Sequence, residues 1–213
     1  MKTKKFQEYE RRALATVYSE EPGGFHDDII PQLARRFLAE LAVPTTARML
    51  DIGSGPGLFA QAAAGLGYHH VTSVTLSPED VTACRSQGLA VIRASMTDLP
   101  VEDQSVDFIW CRHALEHSPY PIFTLYEFHR VLRPGGQAWI EVPAPDNERA
   151  YMHEFNPNHY SILGERMWQA LIERAGFRVR GFWRYDIDIP FDRGPFAGRT
   201  INERSLMWAI SRE

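Results

Sequence analysis

The stretch RMLDIGSGPGLFA, residues 48–60, decides the fold that this sequence predicts. An apolar run ends at Ile52, and helix-forming residues begin at Leu58. Three glycines within five residues separate the two: Gly53, Gly55 and Gly57. Because glycine adopts backbone conformations that other residues avoid, the segment predicts a buried strand, a sharp turn that can approach a ligand, and a helix.

The glycine spacing and one acidic residue indicate which ligand the turn can hold. Dinucleotide-binding domains carry G-x-G-x-x-G at this place, whereas residues 53–57 read G-x-G-x-G. Asp51 precedes the first glycine by two residues, where its carboxylate can accept hydrogen bonds from loop amides or from a cationic ligand end. Residues 51–57, DIGSGPG, resemble the first motif of the class I S-adenosylmethionine-dependent methyltransferases.

Further motifs extend this resemblance to about residues 48–142. They are LP at 99–100, D-x-S-x-D at 103–107, LEH at 115–117 and E-x-x-R-V-L-R-P-G-G at 127–136. The ordered series is similar to the type 11, or ubiquinone-biosynthesis-like, methyltransferase subgroup. This resemblance implies an α/β fold with a doubly wound, Rossmann-like sheet of seven mostly parallel strands and an antiparallel C-terminal hairpin.

The whole chain, residues 1–213, is predicted to form one methyltransferase domain. Residues 1–45 predict an N-terminal helical cap, whose first amphipathic helix either closes over the ligand or covers a sheet edge. Residues 46–142 predict the cofactor-binding core. Residues 143–213 predict a substrate loop, a helix and two terminal strands.

Three strand boundaries in these regions are specific enough to test. The last core strand is predicted at 137–142, after a helix that ends at the Pro-Gly-Gly of residues 134–136. Strand-like runs at 177–185 and 205–211 fit the C-terminal hairpin, and residues 186–202 between them are predicted to form a loop.

The resemblance implies cofactor-binding roles for residues at the ends of the first three strands. The amino-acid part of the cofactor is assigned to Asp51, Gly53, Ser54, Gly55 and Gly57, the ribose and adenine face to Thr75 and Leu76, and the adenine edge to Ser95 and Met96. Two of these positions depart from the usual family pattern. Most members carry an acid in place of Thr75, which holds the ribose hydroxyls, and an acid in place of Ser95 near the adenine.

Three histidines are the candidate catalytic residues. Methyl transfer from a sulfonium needs an aligned acceptor and exclusion of water, and a hydroxyl acceptor can also use an imidazole as base. His113 directly follows the fourth strand and is predicted to touch cofactor or substrate, His117 follows four residues later, and His159 lies in the substrate loop. A metal site from His113, His117 and either His153 or His159 matches no compact ligand spacing, so no metal is predicted.

Composition limits the function classes. The net charge of −4 and the pI near 6.1 disfavour nucleic acid as a partner, so we expect a small-molecule, sugar or lipid-type methyl acceptor. Two cysteines and the lack of a long apolar run predict a cytoplasmic protein without a membrane span. The oligomeric state is not predicted.

Two other functions stay open. The missing ribose acid at Thr75 and the lack of a clear catalytic base allow a non-catalytic protein of the same fold, which binds the cofactor or a partner. A nicotinamide-dependent oxidoreductase is a further hypothesis, although the glycine spacing and the missing ribose acid count against it.

Overall fold

A computed structural model describes residues 4–15, 25–146, 158–190 and 198–213 of the protein. The α-helices in these ranges are α1 (Lys4–Ala13), α2 (Phe25–Glu40), α3 (Leu58–Gly65), α4 (Pro78–Ser86), α5 (Pro121–Val131) and α6 (Glu165–Arg174). A short 3₁₀ helix spans Leu115–His117. Within these ranges, no helix has both the length and the apolar character that crossing a membrane requires.

The strands form one seven-stranded sheet. They are β1 (Met49–Ile52), β2 (Val71–Thr75), β3 (Ala90–Arg93), β4 (Val106–Arg112), β5 (Leu132–Pro143), β6 (Phe177–Pro190) and β7 (Thr200–Arg212). Their order in the sheet is β3-β2-β1-β4-β5-β7-β6. Strands β1 to β5 pair in parallel, and β7 runs antiparallel to both β5 and β6. The predicted fold class is therefore confirmed.

Both faces of the central strands are buried, and their side chains alternate between two apolar clusters. Along β4, Ile109 and Cys111 belong to the cluster that includes α5 and α6, whereas Phe108 and Trp110 belong to the cluster that includes α2 and α3. The same alternation in β1 sends Leu50 and Ile52 into the first of these clusters. Because both faces are covered by helices, these strands are continuous apolar runs in the sequence.

Two predicted boundaries at the C-terminal side of the sheet are wrong. Residues 186–202 do not form a loop throughout, because β6 and β7 stay paired from Phe177–Arg212 out to Pro190–Thr200, and residues 191–197 lie outside the described ranges. The core strand begins at Leu132 instead of residue 137, and its pairing with β4 jumps across the Pro-Gly-Gly segment. Sequence analysis missed these extensions because pairing partners, rather than local patterns, define them.

The point where the strand order reverses indicates where the candidate site lies. After β1 the chain moves outward to β3 and then returns to β4, which lies on the other side of β1. In open α/β sheets, ligands bind at the carboxyl ends of the strands at such a topological switch point. The glycine turn after β1 lies at this position.

Candidate functional site

The glycine turn has the backbone geometry that its sequence predicts. All three glycines have positive φ angles, +69° at Gly53, +51° at Gly55 and +91° at Gly57. A Cβ atom at Gly53 would collide with Ala114, and one at Gly57 would lie 2.5 Å from Cδ1 of Leu89. Backbone conformation therefore favours glycine at all three positions, and the contact with Ala114 also requires it at Gly53.

Asp51 is a buried carboxyl group with one unsatisfied oxygen. The residue is 3% exposed, and its Oδ2 atom makes no hydrogen bond to any residue in the described ranges. Desolvation by burial raises the pKa of Asp51 to about 8. Asp51 is therefore largely protonated at neutral pH until a partner stabilises its charge, and a bound cationic group would supply that stabilisation.

A cleft of about 890 Å³, which includes space open to solvent, lies beside the glycine turn. The predicted residues that line it are Gly53, Gly55, Thr75, Leu76, Ser95, Met96, His113 and His117. Asp51, Ser54 and Gly57 belong to the same strand and turn but do not line the cleft. His159 does not line it either, although its neighbours Asn158 and Tyr160 do. The structure thus brings most of the predicted cofactor residues to one cavity.

A carboxylate lies next to Thr75, where the sequence lacks the expected acid. Asp80 lines the cleft, is 5% exposed, and accepts a hydrogen bond of 3.3 Å from Oγ1 of Thr75. Its backbone N–H donates to Oγ of Ser77, the N-cap of α4. Sequence analysis assigned Asp80 no role in the site. Its position in the first turn of the helix that follows β2 is the feature of the sequence that could have identified it.

A second carboxylate reaches the site from α1. Glu10 is 8% exposed and accepts hydrogen bonds from Oγ of Ser95, at 3.2 Å, and from Oγ1 of Thr97. Oγ of Ser95 lies 2.8 Å from Oγ1 of Thr97, and both residues line the cleft. Sequence analysis missed Glu10 because 85 residues separate it from Ser95, and no local pattern connects them.

His113 is fixed between two carboxylates. Its Nε2 lies 3.1 Å from Oε1 of Glu141, and its Nδ1 lies 3.6 Å from Oε1 of Glu116. Burial and the charge of Arg112 lower the pKa of His113, but the hydrogen bond and the charge of Glu141 and the charge of Glu116 raise it further, so the net shift is upward. His113 also has a positive φ of 46°. This arrangement favours a protonated donor and makes His113 a poor general base.

Glu141 supports this arrangement from the centre of the sheet. It is fully buried and lies 3.0 Å from Nε of Arg112. Burial raises the pKa of Glu141, but Arg112 and His113 outweigh that effect and lower it to about 2. Glu141 therefore stays ionised and holds the His113 ring in place.

His117 has the opposite electrostatic environment. The pKa of His117 is lowered to about 4. Burial is the largest cause, the charge of His113 acts in the same direction, and the hydrogen bond to the Asn158 carbonyl opposes them. Its Nδ1 donates to the Asn158 carbonyl at 3.1 Å, which in a neutral imidazole leaves the lone pair on Nε2. The His159 ring lies 4.7 Å from the His117 ring, centroid to centroid. His153 lies outside the described residues.

Comparison with known proteins agrees with the sequence motifs. Residues 50–140 match the type 11 family model described as a methyltransferase domain. The chain is 39% identical over 136 residues to an uncharacterized methyltransferase of Mycolicibacterium gilvum, which covers 62% of this chain and 52% of the relative. It is 37% identical over 101 residues to the ubiquinone biosynthesis O-methyltransferase of Xanthomonas oryzae, which covers 44% of this chain and 42% of the relative. The chain spans about half the length of the curated relatives that it matches.

A solved structure shows the same fold over nearly the whole chain. A SAM-dependent methyltransferase from Archaeoglobus fulgidus superimposes with a TM-score of 0.67, at 14% identity, over 96% of this chain and 99% of that one. Together, these findings confirm the resemblance to type 11 methyltransferases and the Rossmann-like fold.

Proposed function

We propose that this chain is an S-adenosylmethionine-dependent methyltransferase that acts on a small-molecule, sugar or lipid-type acceptor. One observation carries the proposal. The buried Asp51 carboxyl group precedes the glycine turn at the switch point of the sheet, and one of its oxygens makes no hydrogen bond within the described part of the chain. A charged amino group of the cofactor would stabilise the ionised carboxylate, which burial otherwise disfavours.

The residues at the cleft fit the other parts of the cofactor. Thr75 and Asp80 together offer a hydroxyl and a carboxylate to the ribose hydroxyls. Ser95 and Met96 line the cleft where the adenine edge is expected, and Glu10 brings a carboxylate to Ser95 from α1. The family pattern has acids at the positions of Thr75 and Ser95, and in this chain Asp80 and Glu10 would substitute for them.

The chain's own contribution to the reaction is positioning and proton handling. The cofactor supplies a methyl group already activated on a sulfonium. The cleft residues would align the acceptor and exclude water. Near neutral pH, His117 is neutral and can accept a proton from an acceptor hydroxyl. The two ring nitrogens of His113 face Glu141 and Glu116, so His113 would contribute positive charge to the wall of the cleft.

The direct test is calorimetric titration with S-adenosylhomocysteine. We expect one site per chain in the wild type and at least about tenfold weaker binding in Asp51→Asn, which keeps the size of the side chain but removes its charge. Asp103→Asn is the matched control, because Asp103 is 72% exposed in its side chain and does not line the cleft, and it should bind like the wild type.

Different outcomes separate the competing functions. A folded wild type that does not bind S-adenosylhomocysteine would refute the proposal, and binding of NADH instead would favour an oxidoreductase. Cofactor binding without methyl transfer to any of a broad set of acceptors would favour the non-catalytic alternative. Methylation of any acceptor that is lost in Asp51→Asn but retained in Asp103→Asn would support the enzyme.

A further inference from the structure

Three potential metal ligands lie together beside the cleft. One ligand atom each from Glu116, His117 and His159 lies within 4.8 Å of the other two. Glu116 is fully buried, whereas the two histidines are partly buried. His117 also lines the cleft, so the cluster adjoins the space assigned to cofactor and acceptor.

Backbone hydrogen bonds hold the two segments of this cluster together. The N–H groups of Tyr160 and Ser161 both donate to the Glu116 carbonyl, each at 3.0 Å. Oγ of Ser161 donates to the carbonyl of Ser118, also at 3.0 Å. These bonds join the 3₁₀ helix that carries Glu116 and His117 to the segment that carries His159, although 42 positions of sequence separate the two histidines.

The orientation of His117 is also that of a metal ligand. Histidines that bind metals commonly donate their other ring N–H to a carboxylate or a backbone carbonyl, which fixes the tautomer and the ring. The hydrogen bond from Nδ1 of His117 to the Asn158 carbonyl has this form and directs the Nε2 lone pair away from that carbonyl.

We propose that Glu116, His117 and His159 bind a divalent transition-metal ion at the wall of the cleft. Two imidazoles and a carboxylate suit zinc, iron or cobalt better than magnesium, which prefers oxygen ligands. Metal–ligand bonds of about 2.0–2.2 Å require donor atoms closer together than 4.8 Å, so the ligands must move inward on binding.

The metal site itself does not depend on the proposed function, but what it implies about the methyl acceptor does. Three protein ligands leave at least one coordination position open, as in catalytic zinc sites. An oxygen of the acceptor would occupy it, because a bound divalent ion lowers the pKa of a coordinated hydroxyl and favours its ionised form. With the ion bound, His117 would be a ligand, and the ion instead of His117 would promote loss of the acceptor proton. The site therefore favours acceptors that carry a hydroxyl group able to bind metal.

The test is a titration of the full chain, freed of metal by a chelator, with Co²⁺. Bound Co²⁺ is followed by its visible absorption, and Zn²⁺ is then used to displace it. We expect one high-affinity Co²⁺ per chain with only nitrogen and oxygen ligands, and at least about tenfold weaker binding in His159→Ala. His69→Ala is the matched control, since His69 is exposed and lines a pocket formed by residues from the opposite ends of the strands.

Glu116→Gln provides a second variant, and thermal unfolding of every sample establishes whether it is folded. Three results would each overturn the inference. They are equal Co²⁺ binding by wild type and His159→Ala, no Co²⁺ binding by folded wild type, and a charge-transfer band that shows a cysteine thiolate as a ligand. Titration of the same samples with S-adenosylhomocysteine separates the two proposals. Cofactor binding without metal binding refutes only the metal site, whereas metal binding without cofactor binding refutes only the proposed function.

Discussion

At Asp51, the charge of one carboxyl group links folding to ligand binding. Burial raises its pKa to about 8, and its Oδ2 has no hydrogen-bond partner among the residues that the structure describes. The ionised group therefore opposes folding in the absence of a ligand. The same property makes it a strong binding group for a cation, because the ligand restores the stabilisation that burial removed.

Replacement of Asp51 by Asn should remove a pH dependence of stability. In the pH range between its ordinary value of 3.8 and about 8, the folded state holds a proton on Asp51 that the unfolded state has lost. Stability therefore falls as pH rises through this range. We expect Asp51→Asn to gain at least about 1 kcal/mol of unfolding free energy relative to wild type between about pH 5 and about pH 9.

Urea unfolding of both proteins without ligand, at several pH values, measures this difference. Asp103→Asn, which removes an exposed carboxylate instead, is measured in parallel as the control. The difference in unfolding free energy between wild type and Asp51→Asn could instead stay constant from about pH 5 to about pH 9. That result would mean that Asp51 is ionised in the folded protein without a ligand.

Helix α1 links the chain's N-terminal segment to the cleft. The Phe6 ring lies 5.2 Å from the Tyr120 ring and 5.4 Å from the Phe123 ring, while Glu10 bonds to Ser95 and Thr97. These partners follow the carboxyl ends of β4 and β3. Leu14, just beyond the helix, lines the cleft. Of the two roles predicted for this helix, the contacts favour closure over the ligand.

Loss of the α1 contacts should make α1 detach from the cleft more often, and the cofactor should then dissociate faster. Each aromatic pair contributes about 0.5–1.5 kcal/mol, so Phe6→Ala should raise the open population of α1 by about tenfold. Hydrogen exchange over residues 4–13 measures this opening, and stopped-flow displacement of S-adenosylhomocysteine measures its release.

The neighbouring ring of Tyr9 provides the control for this experiment. Tyr9 is 52% exposed, so Tyr9→Ala should leave the exchange of α1 and the release of the ligand close to wild type. Equal ligand release by wild type and Phe6→Ala, despite faster exchange of α1, would show that the helix covers the sheet edge without controlling access to the cleft.

Across the whole molecule, a row of aromatic rings connects the sheet to its helical layer. Phe59 stacks on Trp110 at 4.4 Å, Trp110 stacks on Trp139 at 4.0 Å, and Trp139 contacts Phe37 at 5.0 Å. All four side chains are less than 3% exposed. Because the row joins α3, β4, β5 and α2, its packing stabilises the sheet that positions the cleft.

Truncation of the central ring should destabilise the entire fold. Trp139→Ala removes a fully buried ring and should lower the unfolding free energy by about 3–5 kcal/mol. Met167→Ala, at a side chain that is 59% exposed on α6, should change it by less than about 0.5 kcal/mol. Chemical denaturation measures both, and a loss below about 1 kcal/mol in Trp139→Ala would contradict a structural role for the row.

The sequence by itself determined the fold class, the glycine turn and the strand ends that line the cleft. These features depend on local chemistry, since apolar runs, helix caps and the φ freedom of Gly53, Gly55 and Gly57 can be recognised along the chain. The exact extent of β6 and β7 was not predictable in this way, because cross-strand partners define where those strands end.

Only the tertiary structure decided which distant side chains meet at the cleft. Glu10 reaches Ser95 across 85 positions, and His159 reaches His117 across 42. Sequence analysis predicted no metal site because no compact ligand motif is present and separate loops would have to converge. In the structure, Glu116, His117 and His159 come together from two separate segments. The charge states of Asp51, His113 and His117 likewise depend on burial and neighbouring charges, which exist only once the sheet and its helices have packed.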